Sequence, residues 1–369
     1  EERASEERVE SAFHLGILSW IACWEESGSP TRKRFVRAMI ICTWFLPESE
    51  KSATEKGPVS LQVLTFGCSC TAMSSTPRSE ARFFKGWAKP GPVLEPARPG
   101  IPAVPGPDDP ESLDALSGDF RIFQLKDGHR FSTDDVLTAW YGSSLAPSVG
   151  KALDLGSGIG SVGMIAAWRL QGAQFVTVEA QSESVRLARK SAAYNGLTSR
   201  YEIREGDFRT PGILGDDEKF DLILGSPPYF PEDAGIHGDH PQKIACRFEM
   251  KGDVGDYCRV ASRHLAPGGF LSLVFPIQPT QQLEKVRQGA KAAGLTIIRL
   301  RPICLKEGDA PLLAVFALVA SSDLPEKFRG ESGLFGPSGF EEPVLTIRRK
   351  DGTIHPEYSA IKLTFGFPP

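Results

Sequence analysis

Four groups of residues have types and spacings suited to chemistry. Asp154 stands two residues before a glycine-rich run, Asp154-Leu-Gly156-Ser-Gly158-Ile-Gly160-Ser-Val-Gly163. Glycines let the backbone bend tightly and approach a ligand closely. A carboxylate beside such a bend attracts a cationic group and repels pyrophosphate. Glu179 follows about 20 residues later, the separation at which an acidic side chain meets ribose hydroxyls in nucleotide-binding sheets. Asp207-Phe208 pairs an acceptor for an amino group with an apolar ring that can cover a flat base. The fourth group is Ser226-Pro227-Pro228-Tyr229-Phe230. Two consecutive prolines fix φ and remove two N–H groups, leaving carbonyl acceptors in a stiff loop between a hydroxyl and an aromatic ring.

Gly158-x-Gly160-x-x-Gly163 also satisfies the dinucleotide fingerprint, so the loop alone leaves the nucleotide class open. Asp154, the Asp207-Phe208 pair and a Ser-Pro-Pro-Tyr loop with no role in hydride transfer together favour S-adenosylmethionine, with its cationic amino-acid end, over NAD. On this reading Asp154 faces the amino-acid moiety, Gly156, Gly158 and Gly160 form the turn, Glu179 meets the ribose, and Asp207 and Phe208 meet the base. The plainer alternatives are a turn cap at Asp154 and a solvated strand end at Glu179.

From residue 150 onward short β-branched runs alternate with helical stretches, the pattern of a parallel sheet covered on both faces. Strands are predicted at 152–155, 175–179, 201–204, 220–224, 270–275, 296–300 and 313–319, with helices near 161–170, 182–195, 254–265 and 281–293. Gly172, Gly196 and Gly294 fall just past three of these helices, where a left-handed residue commonly closes the last turn. No helix-length pattern joins the last two strands, so they should pair antiparallel. The expected fold is α/β, a seven-stranded doubly wound Rossmann-like sheet, with each chemical group at the carboxyl end of a strand.

Ser226-Pro227-Pro228-Tyr229 resembles the N/D/S-P-P-Y/F/W motif of methyltransferases that modify exocyclic or amide nitrogens. An exocyclic purine amine is a poor nucleophile because its lone pair is delocalised into the ring. The Ser226 side chain and the Pro227 carbonyl can each accept one amine hydrogen, and Tyr229 can stack on the base. Phe131-Ser132-Thr133-Asp134-Asp135-Val-Leu-Thr-Ala-Trp140 further resembles the F-x-x-G-T-D-x-x-L-L-A-x-W segment of the bacterial tRNA1(Val) adenine-N6-methyltransferases, with Ser132 where that family usually has Gly. The segments Pro241–Glu249, Thr346–Lys350 and Glu357–Ala360 also resemble that family, the last two its closing hairpin and Y-x-A-L element. The likeness spans about residues 119–367 and leaves residues 1–115 outside it.

The resemblance implies a class I methyltransferase fold, S-adenosylmethionine as cofactor, and N6-methylation of an adenine in RNA, chiefly tRNA near the anticodon. By the same resemblance Ser226, Pro227, Pro228 and Tyr229 form the catalytic platform. Thr133 reaches the cofactor's carboxylate, and Asp134, placed with it on the cofactor side, caps the following helix; a plain N-cap is the simpler alternative. Apart from the resemblance, Arg348, Arg349 and Lys350 form the densest basic cluster of residues 116–369, and Lys243 and Arg247 follow the diproline loop, so that with Phe230 they could hold substrate on either side of a flipped base; a solvated charged hairpin tip is the plainer alternative. A methyltransferase acting on a protein glutamine or a guanine amine is a rival within the class. A silent module binding RNA or a partner is a rival outside it, motivated by Ser226, Ser132 and the N-terminal extension.

The rest of the chain sets bounds. Its 369 residues carry 42 Lys+Arg and 46 Asp+Glu, a net charge of −4, which argues against coating nucleic acid through bulk charge. Residues 90–110 are rich in Pro and Gly and read as a linker, so the division expected is a low-order extension over 1–115 and a methyltransferase domain over 116–369. In the extension, the apolar runs Phe13–Trp24 and Phe35–Leu46 show no sustained period, and weakly ordered sequence is favoured over a helical hairpin. Ala12–Trp24 is too short to span a membrane, and Glu1, Glu2, Glu6 and Glu7 ahead of it are the wrong charge for a targeting peptide. The first residue is not Met, which fits a start further upstream. Seven cysteines, of which only Cys68 and Cys70 are close together, show no zinc spacing and suit a reducing, cytoplasmic compartment. His237 and His240 lack a third ligand, so no metal is expected.

Overall fold

The structure, a computed structural model, describes residues 83–84, 87–88, 101–146, 148–230, 240–249, 252–329 and 332–367. The apolar runs before residue 50, Cys68, Cys70 and His237 lie outside them. Phe83–Phe84 (β1) and Trp87–Ala88 (β2) form a short antiparallel pair. Residues 101–110 contain no helix or strand, in keeping with their Pro and Gly content.

Glu111–Ser117 (β3) and Phe120–Leu125 (β4) make an antiparallel hairpin that straddles the 115/116 boundary expected from composition. A register shift between Ala115 and Ser117 breaks the strict alternation that advertises a strand, which hides the hairpin from pattern reading. Its Leu116, Ile122 and Phe123 are buried with Met164 and Leu187. Asn195 and Ser191 accept from the Arg121 and Phe123 N–H groups.

The helix Thr133–Leu145 (α1) follows, then Lys151–Leu155 (β5), Ser161–Arg169 (α2), Gln174–Glu179 (β6), Ser182–Tyr194 (α3), Tyr201–Glu205 (β7) and Phe220–Gly225 (β8). Pro241–Arg247 (α4), Val254–His264 (α5), Leu265–Pro276 (β9), Thr280–Ala292 (α6), Leu295–Lys306 (β10) and Leu313–Ala320 (β11) come next. Phe340–Glu341 (β12), Leu345–Arg348 (β13) and Pro356–Leu363 (α7) complete the described elements. The main sheet runs β12-β10-β11-β9-β8-β5-β6-β7, with β13 also on β10. All seven expected strands are present, and the last two, β10 and β11, pair antiparallel as expected. The short strands β12 and β13 extend the edge, both parallel to β10.

One core lies between the sheet and α5 and α6, around Phe220, Leu273 and Val286. A second lies under α1, α2 and α3, around Ala139, Ile165 and Leu187. Gly196 and Gly294 do close α3 and α6 with positive φ. Gly172 does not close α2, which ends earlier, at Leu170, whose N–H donates to Ala166 O. Among the described residues no helix is long and apolar enough to cross a membrane.

Opposite the chemical end, Glu218 ties together the strands that carry the site. Its carboxylate accepts from Lys151 Nζ on β5 at 2.6 Å and from Arg204 on β7 at 2.7 Å. The Arg204 guanidinium, with Lys151 and the Gly215 N–H assisting, lowers the Glu218 carboxyl to about 2 from an ordinary 4.5. A carboxyl depressed in the folded state stabilises fully above its unfolded pKa and loses that contribution as pH falls through the folded one. We therefore expect acid titration to lower the melting temperature between those two values, and Glu218→Gln to flatten that limb. After discounting for partial solvent screening, the stabilisation at stake is on the order of 1–2 kcal/mol.

Candidate active site

β5 and β8 run parallel and in register with Leu155 opposite Gly225, so Gly156 and Ser226 leave the sheet side by side. Strand order reverses between these two strands, which opens a crevice at their carboxyl ends. The crevice is a cavity of about 690 Å³ lined by Asp154, Gly156, Gly158, Glu179, Asp207 and Phe208 and by Ser226 through Phe230. The two halves of the chemistry read from sequence thus share one space.

The glycine turn is fixed from below by two carboxylates. Asp154 Oδ2 accepts from Gly163 N at 2.8 Å, and Glu179 accepts from Gly158 N at 2.8 Å and from Gln181 N at 2.7 Å. Both side chains are buried. Burial pushes the Asp154 carboxyl well above the usual carboxylate range, and the charges of Asp135 and Glu179 add to this. Gly156 has a φ of +60°, and a Cβ there would sit 2.1 Å from Tyr257 Oη, so only glycine fits. Tyr257, from α5, also packs against Gly225, and its ring is 4.8 Å from that of Phe208. It therefore wedges between the two loops and continues the apolar wall.

The lining suits S-adenosylmethionine. Ser157 Oγ is buried on the cavity wall and has no hydrogen-bond partner within the protein. A buried acidic floor is suited to a cationic amino-acid end, Glu179 can accept from ribose hydroxyls, and Phe208 offers an apolar face beside Asp207. Asp207 is meanwhile paired with Arg209 at 2.6 Å.

The Ser226–Phe230 loop is braced from three sides. Gln282 of α6 donates to Tyr229 O at 3.0 Å, and Glu249 N donates to Phe230 O at 2.9 Å. Tyr229 Oη donates to Asp134 Oδ2 at 2.7 Å, while its ring meets Phe275 edge-on with centroids 5.8 Å apart. Phe230 is 48% exposed at the cavity rim.

The α1 segment differs from expectation. Ser132, not Asp134, caps the helix: its Oγ accepts from Asp134 N, and Asp135 accepts from Ser132 N to complete a capping box. Ser and Asp are equally good caps, and here the first of them in the chain takes the position. Asp134 is thereby free to turn into the cavity toward Tyr229. Thr133 does not line the cavity.

Gly160 caps α2 with a φ of +85°. Lys243 lines the cavity, and Arg247 ends α4. Arg348 and Arg349 sit on the hairpin that turns back after β13, bonded to Gly352 O and Thr353 O, and neither lines the cavity. Lys126, His129 and Arg130 do, from the loop between β4 and α1, and were not foreseen as site residues. The signal lay in the sequence, since Arg130 directly precedes Phe131 of the recognised segment. Gln242 of α4 holds that loop in place, accepting from His129 N and donating to Ser184 Oγ. Nothing in its spacing could have pointed to Tyr257.

A sheet ordered this way, with strand β11 reversed and a glycine turn facing a diproline loop across the switch point, defines a class I, S-adenosylmethionine-dependent methyltransferase. The family model described as "Methyltransferase small domain" matches residues 134–290. A tRNA1(Val) (adenine(37)-N6)-methyltransferase of Porphyromonas gingivalis is 30% identical over 188 residues, 50% of this chain and 72% of that one. A protein of the same description from Tolumonas auensis is 27% identical over 248 residues, 66% of this chain and 92% of that one. The chain belongs to the tRNA1(Val) (adenine(37)-N6)-methyltransferase family.

Proposed function

We propose that this enzyme transfers a methyl group to N6 of an adenine in RNA, with tRNA near the anticodon as substrate and the cytoplasm as its place of action. The observation that carries this reading is the shared register of β5 and β8, which sets the Ser226-Pro227-Pro228-Tyr229 loop and the glycine turn against one cavity. When bound, S-adenosylmethionine supplies an electrophilic methyl on a sulfonium sulfur, which the amine nitrogen displaces in line, with loss of one amine proton. The chain's own residues hold the amine in a geometry that exposes its lone pair, through acceptors at Ser226 Oγ and the Pro227 carbonyl. Tyr229 supplies a flat wall for the base, and Phe230 is placed at the mouth where a flipped nucleotide enters. Lys126, His129, Arg130 and Lys243 give the mouth cationic and hydrogen-bonding groups for the flanking backbone, while Arg348 and Arg349 lie further out on the β13 hairpin. Reactivity comes from positioning rather than from a strong base.

Nucleoside mass spectrometry of unmodified tRNA incubated with the enzyme and methyl-labelled S-adenosylmethionine tests the reading. Labelled N6-methyladenosine is the expected product. Label on protein glutamine or on guanosine, with none on adenosine, would overturn it.

A further inference from the structure

Tyr257 stands where the glycine turn, the diproline loop and the Asp207-Phe208 turn come together. The first turn of α5 fixes it: Asp253 Oδ1 accepts from Asp256 N at 2.8 Å, Asp256 Oδ2 accepts from Asp253 N at 3.2 Å, and Tyr257 N donates to Asp253 O at 3.2 Å. From there one buried side chain reaches three places. Its hydroxyl abuts Gly156, where an added Cβ would lie 2.1 Å from Tyr257 Oη. Its ring abuts Gly225, the residue before Ser226, where an added Cβ would lie 2.7 Å from Tyr257 Cδ1. The same ring meets that of Phe208 edge-on, with centroids 4.8 Å apart, and Tyr257 lines the cavity.

The sulfonium sulfur of S-adenosylmethionine carries three substituents: the amino-acid chain, the ribosyl carbon that leads to the base, and the methyl group. Gly156 belongs to the corner suited to the first, Phe208 to the corner suited to the base, and Gly225 leads into the loop that offers the acceptor for the methyl. A side chain in contact with all three corners underlies the atom bonded to all three substituents. The hydroxyl is its polar end. Burial, with the charges of Glu179, Asp154 and Asp207 adding to it, holds this phenol protonated well above its ordinary range. A neutral phenol keeps oxygen lone pairs, and a cation taken out of water needs such partners.

We propose that Tyr257 is a specificity-determining residue whose hydroxyl oxygen faces the sulfonium, so that the site prefers the charged cofactor to the neutral thioether left after transfer. The inference rests on S-adenosylmethionine as cofactor and not on which amine accepts the methyl. In the step, the nitrogen lone pair forms the N–C bond, the electron pair of the broken C–S bond returns to sulfur, and the amine releases a proton. Sulfur is therefore cationic before transfer and neutral after it. The contact is strongest in the ground state, so it favours exchange of spent for fresh cofactor and does not speed the chemical step.

Calorimetric titration of the full chain and of Tyr257→Phe, with S-adenosylmethionine and separately with S-adenosylhomocysteine, tests this. Phenylalanine keeps the ring against Gly225 and Phe208 and removes only the hydroxyl. The dissociation constant for S-adenosylmethionine should rise about 10–30-fold, while that for S-adenosylhomocysteine changes by less than about twofold. With tRNA as acceptor, kcat at saturating cofactor should stay within about threefold of wild type, and KM for S-adenosylmethionine should rise in step with its dissociation constant. Equal losses for the two ligands make the hydroxyl a mere support of the glycine turn and overturn the proposal, as does no loss for either. A kcat loss larger than the affinity loss assigns the hydroxyl to the transition state and overturns it too. If wild type binds neither ligand, the cofactor reading fails and the proposal falls with it. If wild type binds both and the variant keeps the wild-type ratio, the proposal alone fails.

Discussion

Replacing Tyr229 by alanine is expected to lower kcat by about 10²–10³-fold while the dissociation constant for S-adenosylmethionine stays within about threefold of wild type. Two losses combine. On the proposed reading the ring is the flat wall offered to the target base, and base–aromatic stacking contributes about 1–3 kcal/mol. The hydroxyl anchors the loop to α1 through Asp134, so its removal also frees the acceptors proposed to orient the amine. The cofactor half of the cavity is untouched, because Asp154, Glu179 and Phe208 reach it from β5, β6 and the turn after β7. Single-turnover kinetics beside calorimetric titration separate the two effects. Wild-type kcat in the alanine enzyme would remove the stacking role.

The second large effect is at Asp154. Asp154→Asn keeps an acceptor for the Gly163 N–H and removes only the charge. We expect it to weaken S-adenosylmethionine binding by about 30–100-fold, the equivalent of about 2–3 kcal/mol for a charge-assisted contact in a buried site. The pH dependence has a definite sign. Burial holds the ligand-free carboxyl well above the ordinary range, and a bound cation favours its ionised form. Wild-type affinity should therefore rise with pH through the ligand-free ionisation, with a proton released on binding, and the Asn variant should show neither. Calorimetry in buffers of different ionisation enthalpy reads the released proton directly. Equal affinity of the two proteins at all pH values would place the cationic end elsewhere.

The parts of this site that could be read from sequence are those where local chemistry and backbone requirements coincide. Asp154, Gly156 and Gly158 follow a short apolar run that ends in glycines, Glu179 ends a β-branched run, and the diproline loop is conspicuous wherever it stands. Less could be read where a choice depends on three-dimensional packing. Ser132 and Asp134 both suit a helix start, and only the bond from Tyr229 shows which of them is spared for the cavity. Tyr257 comes from a helix some hundred residues beyond Gly156 and meets it only after the sheet is ordered. The β3–β4 hairpin was hidden by its own irregular register, and with it the loop that brings Lys126, His129 and Arg130 to the mouth. Arg348 and Arg349 stand in the densest basic cluster of residues 116–369, but charge density along the chain says nothing about distance from the cavity.

The far end of the domain has a consequence of its own. Ser117 Oγ donates to Phe365 O at 2.9 Å, and a Cβ built on Gly366 would come within 2.8 Å of Gly118 Cα, both glycines lying against Trp168 at the end of α2 away from the cavity. The stretch from 118 to 366 is therefore almost a closed ring of chain. A bridge joining these two points would cut the turn between β3 and β4 and cost the core its buried Leu116, yet together with an opening at the exposed 215–217 turn it would sever no element that lines the methyl-transfer cavity.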